Sequence, residues 1–259
     1  MPEFIEVADH GPVREVTMNR PKSLNAMNLG LMTELADAMT QAAVDPAVRG
    51  VVLTGRGRAF CAGGDLKWAM DYGDDPGRSL HVLAAQLNRV VVEIRSMPKP
   101  VVAAIQGAAA GAGFMLALAC DFRVMERNAF FQQAYTSNGL CIDGGGTFSL
   151  PRLVGAARAL EIAAFDERIP ATKAQEWGLV TRLAEEGQGR ETALAMAQDL
   201  ARRSLHSFRC RKDLFNKSFE RALEEQAEWE RRYLTACARH EDGREGLRAF
   251  VEKRPPRFV

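Results

Sequence analysis

The sequence contains no C-x-x-C or G-x-S-x-G motif, no apolar run of about 18 residues and almost no net charge, and each absence removes a class of function. Thirty-four Lys and Arg against 33 Asp and Glu leave +1, so no global field gathers nucleic acid or anionic membrane. An anionic ligand must be held by a local site. The most apolar stretch, Val101 to Cys120, is broken by Gln106 and three glycines, and no membrane span is expected. The five cysteines (Cys61, Cys120, Cys141, Cys210 and Cys237) are odd in number and widely separated. That argues against a disulfide framework or a structural zinc site and favours reduced thiols in a cytoplasm. Met1 to Val7 carries two acids and no cationic stretch ahead of an apolar run, so an export signal is not expected. His10, His81, His206 and His240 all lie away from the glycine-rich turns. Neither a Ser-His-Asp triad nor a metal site is therefore expected.

What is present is an ordinary globular composition, 47% hydrophobic and 26% charged over 259 residues, enough for one large domain or a domain with an appendage. Val13 to Met18, Arg49 to Thr54 and Pro100 to Gln106 are short, β-rich and bounded by turn residues, as strands are. Met27, Leu31, Leu35, Ala38, Met39 and Ala42 recur at helical spacing, with Asn28 placed to cap them. Leu80, Leu83, Ala84, Leu87, Val91 and Ile94 do the same, and Pro98 and Pro100 end that helix. A third helix is expected over Gly111 to Ala119. Strand and helix alternating at about 50-residue intervals predict an α/β core. After about Gly187 the pattern is helical only, so the expected division is a core over residues 1–190 and a helical region over 191–259 that packs on the core or on a neighbouring subunit. The polar run from Ala69 to Ser79 is expected to be a mobile loop.

Two turns carry small residues where a strand gives way to a helix: Ala59-Phe60-Cys61-Ala62-Gly63-Gly64-Asp65-Leu66 and Gln106-Gly107-Ala108-Ala109-Ala110-Gly111-Ala112-Gly113-Phe114. Small residues let main chain approach a ligand, and a helix N-terminus offers unpaired N–H groups with partial positive charge. Each turn alone also reads as a tight connection; together they can cradle an oxyanion. Neither is a nucleotide loop, since no third glycine completes G-x-G-x-x-G and no Gly-Lys-Ser/Thr follows Gly55-Arg56-Gly57.

These turns, with Asn19-Arg20-Pro21, Leu24-Asn25-Ala26-Met27, Lys99-Pro100 to Gly107, Leu116 to Asp121 and Gly144-Gly145-Gly146-Thr147 followed by Leu150-Pro151-Arg152, resemble the crotonase, or enoyl-CoA hydratase/isomerase, family. The motifs run in family order from residue 4 to Phe258. The resemblance implies a spiral of ββα repeats, a helical C-terminal region that makes trimers or dimers of trimers, and an acyl-CoA substrate. Coenzyme A is then part of the substrate, and no further cofactor is required. It also implies that the N–H groups of Gly64 and Ala112 bind the thioester oxygen. The backbone of Leu24 to Ala26 and of Ala62, Gly63, Asp65 and Leu66 is implied to contact the coenzyme, with Arg20, Lys22, Lys253 or Arg254 near its phosphates. Trp68 and Met70 read either as walls of the acyl pocket or as core.

The hydratases of this family hold water between two glutamates, and the corresponding positions here are Met115 and Tyr135. Neither is a carboxylate, so ordinary hydration is not expected. One carboxylate remains, Asp143, which from local sequence reads either as a helix cap or as a catalyst. The resemblance to isomerases of phenylacetate-type degradation favours the catalyst, and burial beside Met115, Phe148 and Tyr135 is expected to raise its pKa. The expected activity is isomerisation of an unsaturated acyl-CoA, one aspartate moving a proton between two carbons of an enolate. Alternatives are hydrolysis or dehalogenation by the same aspartate, hydration, or a non-catalytic role in binding acyl-CoA or RNA. RNA binding would rest on the six basic residues of Arg202 to Lys217, which read more simply as a solvated face.

Overall fold

In the computed structural model, which describes residues 3–258, Ile5–His10 (β1) and Val13–Met18 (β2) form an antiparallel hairpin. The chain then runs through Leu29–Val44 (α1) to Gly50–Gly55 (β3), which pairs parallel with β2. Asn28 caps α1 as expected, its side chain accepting a hydrogen bond from the Leu31 N–H at 2.9 Å. Asn28→Ala should cost about 1 kcal/mol, read as a melting temperature lower by about 2–4 °C for a chain of this size. Leu31, Leu35, Met39 and Ala42 form the buried stripe of this helix.

The segment expected to be a loop over residues 69–79 is largely helical. Leu66–Asp71 (α2) is capped by the Asp65 carboxylate, and Pro76–Ser96 (α3) begins with Asp75 as its cap and Pro76 in its first turn. Only Tyr72 to Asp75 lie between them. The polarity of the run reflects exposed helix faces and caps. An Asp-Pro pair ahead of a periodic segment is itself a helix-start signal.

Val101–Ile105 (β4) lies parallel to β3 with Val101 beside Val51, and Ala108–Ala110 (β5) leads directly into Ala112–Ala119 (α4). Phe122–Glu126 (β6) returns to pair with β4, and Phe130–Gln132 (β7) pairs with β5. Gly146–Val154 (α5) and Ala156–Phe165 (α6) follow. Ile169–Pro170 (β8), Ala171–Glu176 (α7) and Arg182–Ala184 (β9) then complete two sheets, β1-β2-β3-β4-β6-β9 and β5-β7-β8.

Every residue of β3 is buried because both faces of the larger sheet are covered, which explains its Val51-Val52-Leu53 run. On one side Val16, Val51, Leu53 and Ile105 join Leu31, Leu35, Leu87 and Ile94 of α1 and α3. On the other, Val13, Val52, Val102 and Val124 meet Ala193, Ala197 and Ala201 of Gly189–Ala201 (α8). The division expected between residues 190 and 191 therefore falls inside α8, and α8 packs as part of the core, which extends to Ala201. The four-residue spacing of those alanines is what lets the helix lie close to the strands.

Leu205–Lys217 (α9), Leu223–Arg239 (α10) and Glu241–Val251 (α11) form the helical tail. Lys212 pins α9 to the core, its buried Nζ donating to the Ile94 carbonyl at 2.6 Å and to the Asp121 carboxylate at 2.8 Å. Arg203 pairs with Asp199 and Lys217 with Asp213, so the basic character of residues 202–217 is partly spent within the molecule. Among the described residues no helix is long and apolar enough to cross a membrane.

Candidate active site

The two glycine-bearing turns lie side by side because short backbone ladders tie them together. Cys61 N–H donates to the Ala108 carbonyl at 3.1 Å, and Ala110 N–H donates to the Cys61 carbonyl at 2.9 Å. Cys61 is fully buried, and burial pushes its thiol up to about 12, so it serves as packing and not as a nucleophile. Gly113 permits this approach, since a Cβ there would stand 2.3 Å from the Cys61 carbonyl oxygen. Gly63 has φ +102°, and a Cβ on it would lie 2.9 Å from the Ala110 carbonyl and 3.4 Å from the Ala112 nitrogen. Glycine is required there on both counts.

A third segment fixes the direction of the neighbouring N–H. Met27 N–H donates to the Gly63 carbonyl at 2.7 Å, and Asp65 N–H donates to the Met27 carbonyl at 2.9 Å. In that parallel bridge the Gly64 N–H points away from Met27, free for another acceptor. Ala112 is the first residue of α4, so its N–H belongs to the unpaired first turn and carries the positive end of the helix dipole. Two backbone donors thus stand on adjoining turns.

The expected coenzyme contacts have structural duties as well. Leu24 and Asn25 both have positive φ, at 51° and 56°. The Leu24 carbonyl accepts from Ala62 N–H at 3.0 Å, holding the first element against the second. Buried Asn25 donates to the carbonyls of Ala59 at 2.8 Å and Phe60 at 3.2 Å. Arg20 donates to the Ala26 carbonyl and pairs with Asp65 at 3.0 Å, while Asp65 also caps α2. Arg20 is thus engaged within the protein as a brace between the first element and Asp65. Arg254 is likewise held by Glu245 at 2.7 Å and Glu252 at 2.6 Å. Lys22 and Lys253 are exposed; Leu66 is 40% exposed, and Met70, at 64%, is no part of a closed pocket wall. Trp68 packs its ring 4.6 Å from that of Tyr72.

Asp143 does not cap a helix. The cap of α5 is Gly145, which offers no side chain, and the Asp143 carboxylate instead accepts a hydrogen bond from the Tyr135 hydroxyl at 2.5 Å. Burial raises the Asp143 pKa above the ordinary carboxylate value, and the hydrogen bonds from Tyr135 and from its own backbone only partly oppose this. Tyr135 therefore acts on Asp143 in the sense opposite to the apolar neighbour expected from sequence. Tyr135 is only 8% exposed, and burial and the adjacent carboxylate push its own pKa up, so it remains a donor. Among the described residues no cation pairs with Asp143.

Met115 is fully buried on α4, three residues after Ala112, and packs against Gly144 beside Leu87. Leu83, one turn before Leu87 on α3, packs near Gly64. Leu83 and Leu87 thus form an apolar wall reaching from the Gly64 turn to the residue next to Asp143. Their four-residue spacing is legible in the sequence; their place beside the Gly64 turn is set by the fold. Phe148 lies elsewhere. It is 38% exposed, sits under the Arg152 guanidinium at 3.4 Å and lines a cavity of about 820 Å³ with Val91 and Asn216.

The arrangement combines two amide donors, a half-buried carboxylate held by a phenol and an apolar wall. Such a set stabilises negative charge on an oxygen and moves a proton near it. Residues 9–259 match the model of the enoyl-CoA hydratase/isomerase family. The chain is 36% identical to a 1,2-epoxyphenylacetyl-CoA isomerase of Escherichia coli K12, with 100% of this chain and 99% of the relative covered. It is 40% identical to a probable enoyl-CoA hydratase of Rhodobacter capsulatus, over 94% and 93% of the two chains. A crystal structure of an enoyl-CoA hydratase from Polaromonas sp. JS666 superposes with a TM-score of 0.94 at 36% identity, covering 98% of this chain and 99% of the other. The crotonase spiral is therefore the fold, and this chain belongs to the enoyl-CoA hydratase/isomerase family.

Proposed function

We propose that the protein is an acyl-CoA isomerase in which Asp143 moves a proton between the carbons of an enolate held by the N–H groups of Gly64 and Ala112. The observation that carries this reading is the half-buried Asp143 carboxylate held by the buried Tyr135, with Met115 at the other position where a hydratase would place a carboxylate. Hydration needs one group to activate water and another to complete proton delivery; a single carboxylate facing an apolar wall suits a shuttle within the substrate. In a β,γ-unsaturated acyl-CoA the acidic hydrogen is on the α carbon. The Asp143 carboxylate takes that proton, the C–H electrons pass into the dienolate, and the charge settles on the thioester oxygen. Each backbone donor there is worth about 3–4 kcal/mol. The carboxyl group then returns the proton to the γ carbon, leaving the double bond conjugated with the thioester and the carboxylate regenerated.

A screen of 3-enoyl-, 2-enoyl- and aryl-acetyl-CoA thioesters, followed by ultraviolet absorbance and free thiol, tests the reading. The expected result is a gain of conjugation from 3-enoyl-CoA with no thiol released. Fast loss of conjugation from 2-enoyl-CoA would indicate hydration, and thiol release would indicate hydrolysis. The name of the Escherichia coli relative adds an epoxidised phenylacetyl thioester to the panel, where the outcome read is ring isomerisation.

Asp143 works as a base only when ionised, so kcat/KM should fall as pH drops through its raised pKa, at a pH above the ordinary aspartate value of about 3.9. Tyr135→Phe removes a hydrogen bond to the charged form, a contact worth about 1.5–3 kcal/mol. The acid limb of the pH profile should therefore move to higher pH in that variant, measured with 3-enoyl-CoA. A limb that stays in place would show that the phenol does not tune the base.

The same reading assigns self-association, as a trimer or dimer of trimers, to the helical tail. Leu223 and Leu234 on α10, and Leu247, Phe250 and Val251 on α11, are exposed in the single chain. Sedimentation equilibrium should return a mass three or six times that of the chain.

A further inference from the structure

The helical tail brings together three residues that are scattered in sequence. His206 and Cys210 stand one turn apart on the same face of α9, and Cys237 faces them from α10. One ligand atom from each, an imidazole nitrogen and two sulfurs, lies within 4.8 Å of both others. His206 Nε2 is 3.9 Å from Cys210 Sγ. Tetrahedral zinc, with Zn–S near 2.3 Å and Zn–N near 2.0 Å, separates its ligand atoms by about 3.5–3.8 Å. Movements of a fraction of an ångström to about an ångström therefore close the set around an ion.

The surroundings hold these ligands in place. Lys212 fixes α9 to the core, and Tyr233 on α10 donates to Asp213 on α9 at 2.9 Å, one turn from the Cys210–Cys237 level. The His206 ring is stacked on His240 with centroids 4.1 Å apart and planes 6° from parallel. His206 and Cys210 border the cavity of about 820 Å³, and His206 and Cys237 border a second of about 300 Å³, so there is room for a water as fourth ligand.

We propose that His206, Cys210 and Cys237 form a binding site for a thiophilic divalent cation, Zn²⁺ foremost, that clamps α9 to α10. Two thiolates and an imidazole select zinc over magnesium or calcium. On binding, the Cys210 and Cys237 thiols each give a proton to the buffer and their sulfurs form the bonds to the ion. No residue of this group belongs to the Asp143 site, and the clamp stands whatever that site catalyses. The grouping itself departs from the expectation of no metal-ligand cluster, because counting sequence intervals could not show that α10 returns Cys237 to α9.

Reduced full-length protein should be titrated anaerobically with Co²⁺ as a spectroscopic probe and then with Zn²⁺. One Co²⁺ per chain should give a thiolate-to-metal charge-transfer band, abolished by one equivalent of Zn²⁺. Cys237→Ser should lose about half of the band or all metal uptake, and His206→Ala should weaken uptake roughly 10-fold or more, whereas Cys141→Ser, which removes an exposed thiol elsewhere, should leave it unchanged. Circular dichroism of each variant without metal confirms that the helices persist. Absence of the band in the wild type, or an undiminished band in Cys237→Ser, overturns the proposal. So does a reduced protein that forms a Cys210–Cys237 disulfide on air exposure but takes up no metal.

Discussion

Asp143→Asn should lower kcat for conversion of a 3-enoyl-CoA to its conjugated isomer by roughly 10²- to 10⁴-fold, the usual contribution of a positioned base. KM should change little, because asparagine keeps the size of the side chain and its oxygen can still accept from Tyr135. The same substitution should make the protein more stable at neutral pH. Burial raises the folded-state pKa of Asp143 above its unfolded value. The folded chain therefore holds this proton more tightly, and the stability so gained is greatest below the unfolded pKa and is lost as pH rises through the folded one. Near pH 7 the ionised carboxylate is a net burden, which asparagine removes. A thermal melt at pH 7 should show the variant melting higher than the wild type, by about 2–4 °C for each kcal/mol gained. Slow turnover with raised stability is the signature of a base held against its own preference for water. Slow turnover with lowered stability would mean that the carboxylate is a structural tie.

Ala112→Pro should lower kcat by about 10²- to 10³-fold, the usual loss when one oxyanion donor is removed. Ala112 is the first residue of α4, the helical position at which proline is best tolerated, because its N–H has no partner within the helix. The substitution removes a single hydrogen-bond donor with the helix retained, and its ring occupies the place where the thioester oxygen would sit. Ala112→Gly is the matched control. It keeps the N–H and should retain turnover within a few-fold. Equal loss in both variants would place the defect in packing beside the Gly63 turn.

The two glycine-bearing turns are legible in the sequence because a close approach of main chain to main chain leaves few side chains to choose from. Gly63 and Gly113 are glycines for reasons that the geometry makes explicit. The long helices are legible from periodicity, whereas the alanine stripe of α8 gives no sign of which surface it covers. What was hidden depends on chain reversals. Tyr135 and Asp143 are eight residues apart around a short 3₁₀ turn at Thr136–Asn138, and no local pattern says that the hydroxyl meets the carboxylate. Arg20 and Asp65 are 45 residues apart, and only the fold shows that the one braces the other. Phe148 reads from sequence as a neighbour of Asp143; the α-helical turn starting at Gly146 carries it instead to Arg152.

The most direct test of the one-carboxylate shuttle is to follow deuterium from a 3-enoyl-CoA labelled at the α carbon through turnover by the wild-type enzyme. Asp143 is half-buried and faces an apolar wall, so a measurable share of the label should appear at the γ carbon of the conjugated product, carried there by the same carboxyl group. Label found entirely in water, with product formed at full speed by Asp143→Asn, would contradict the account.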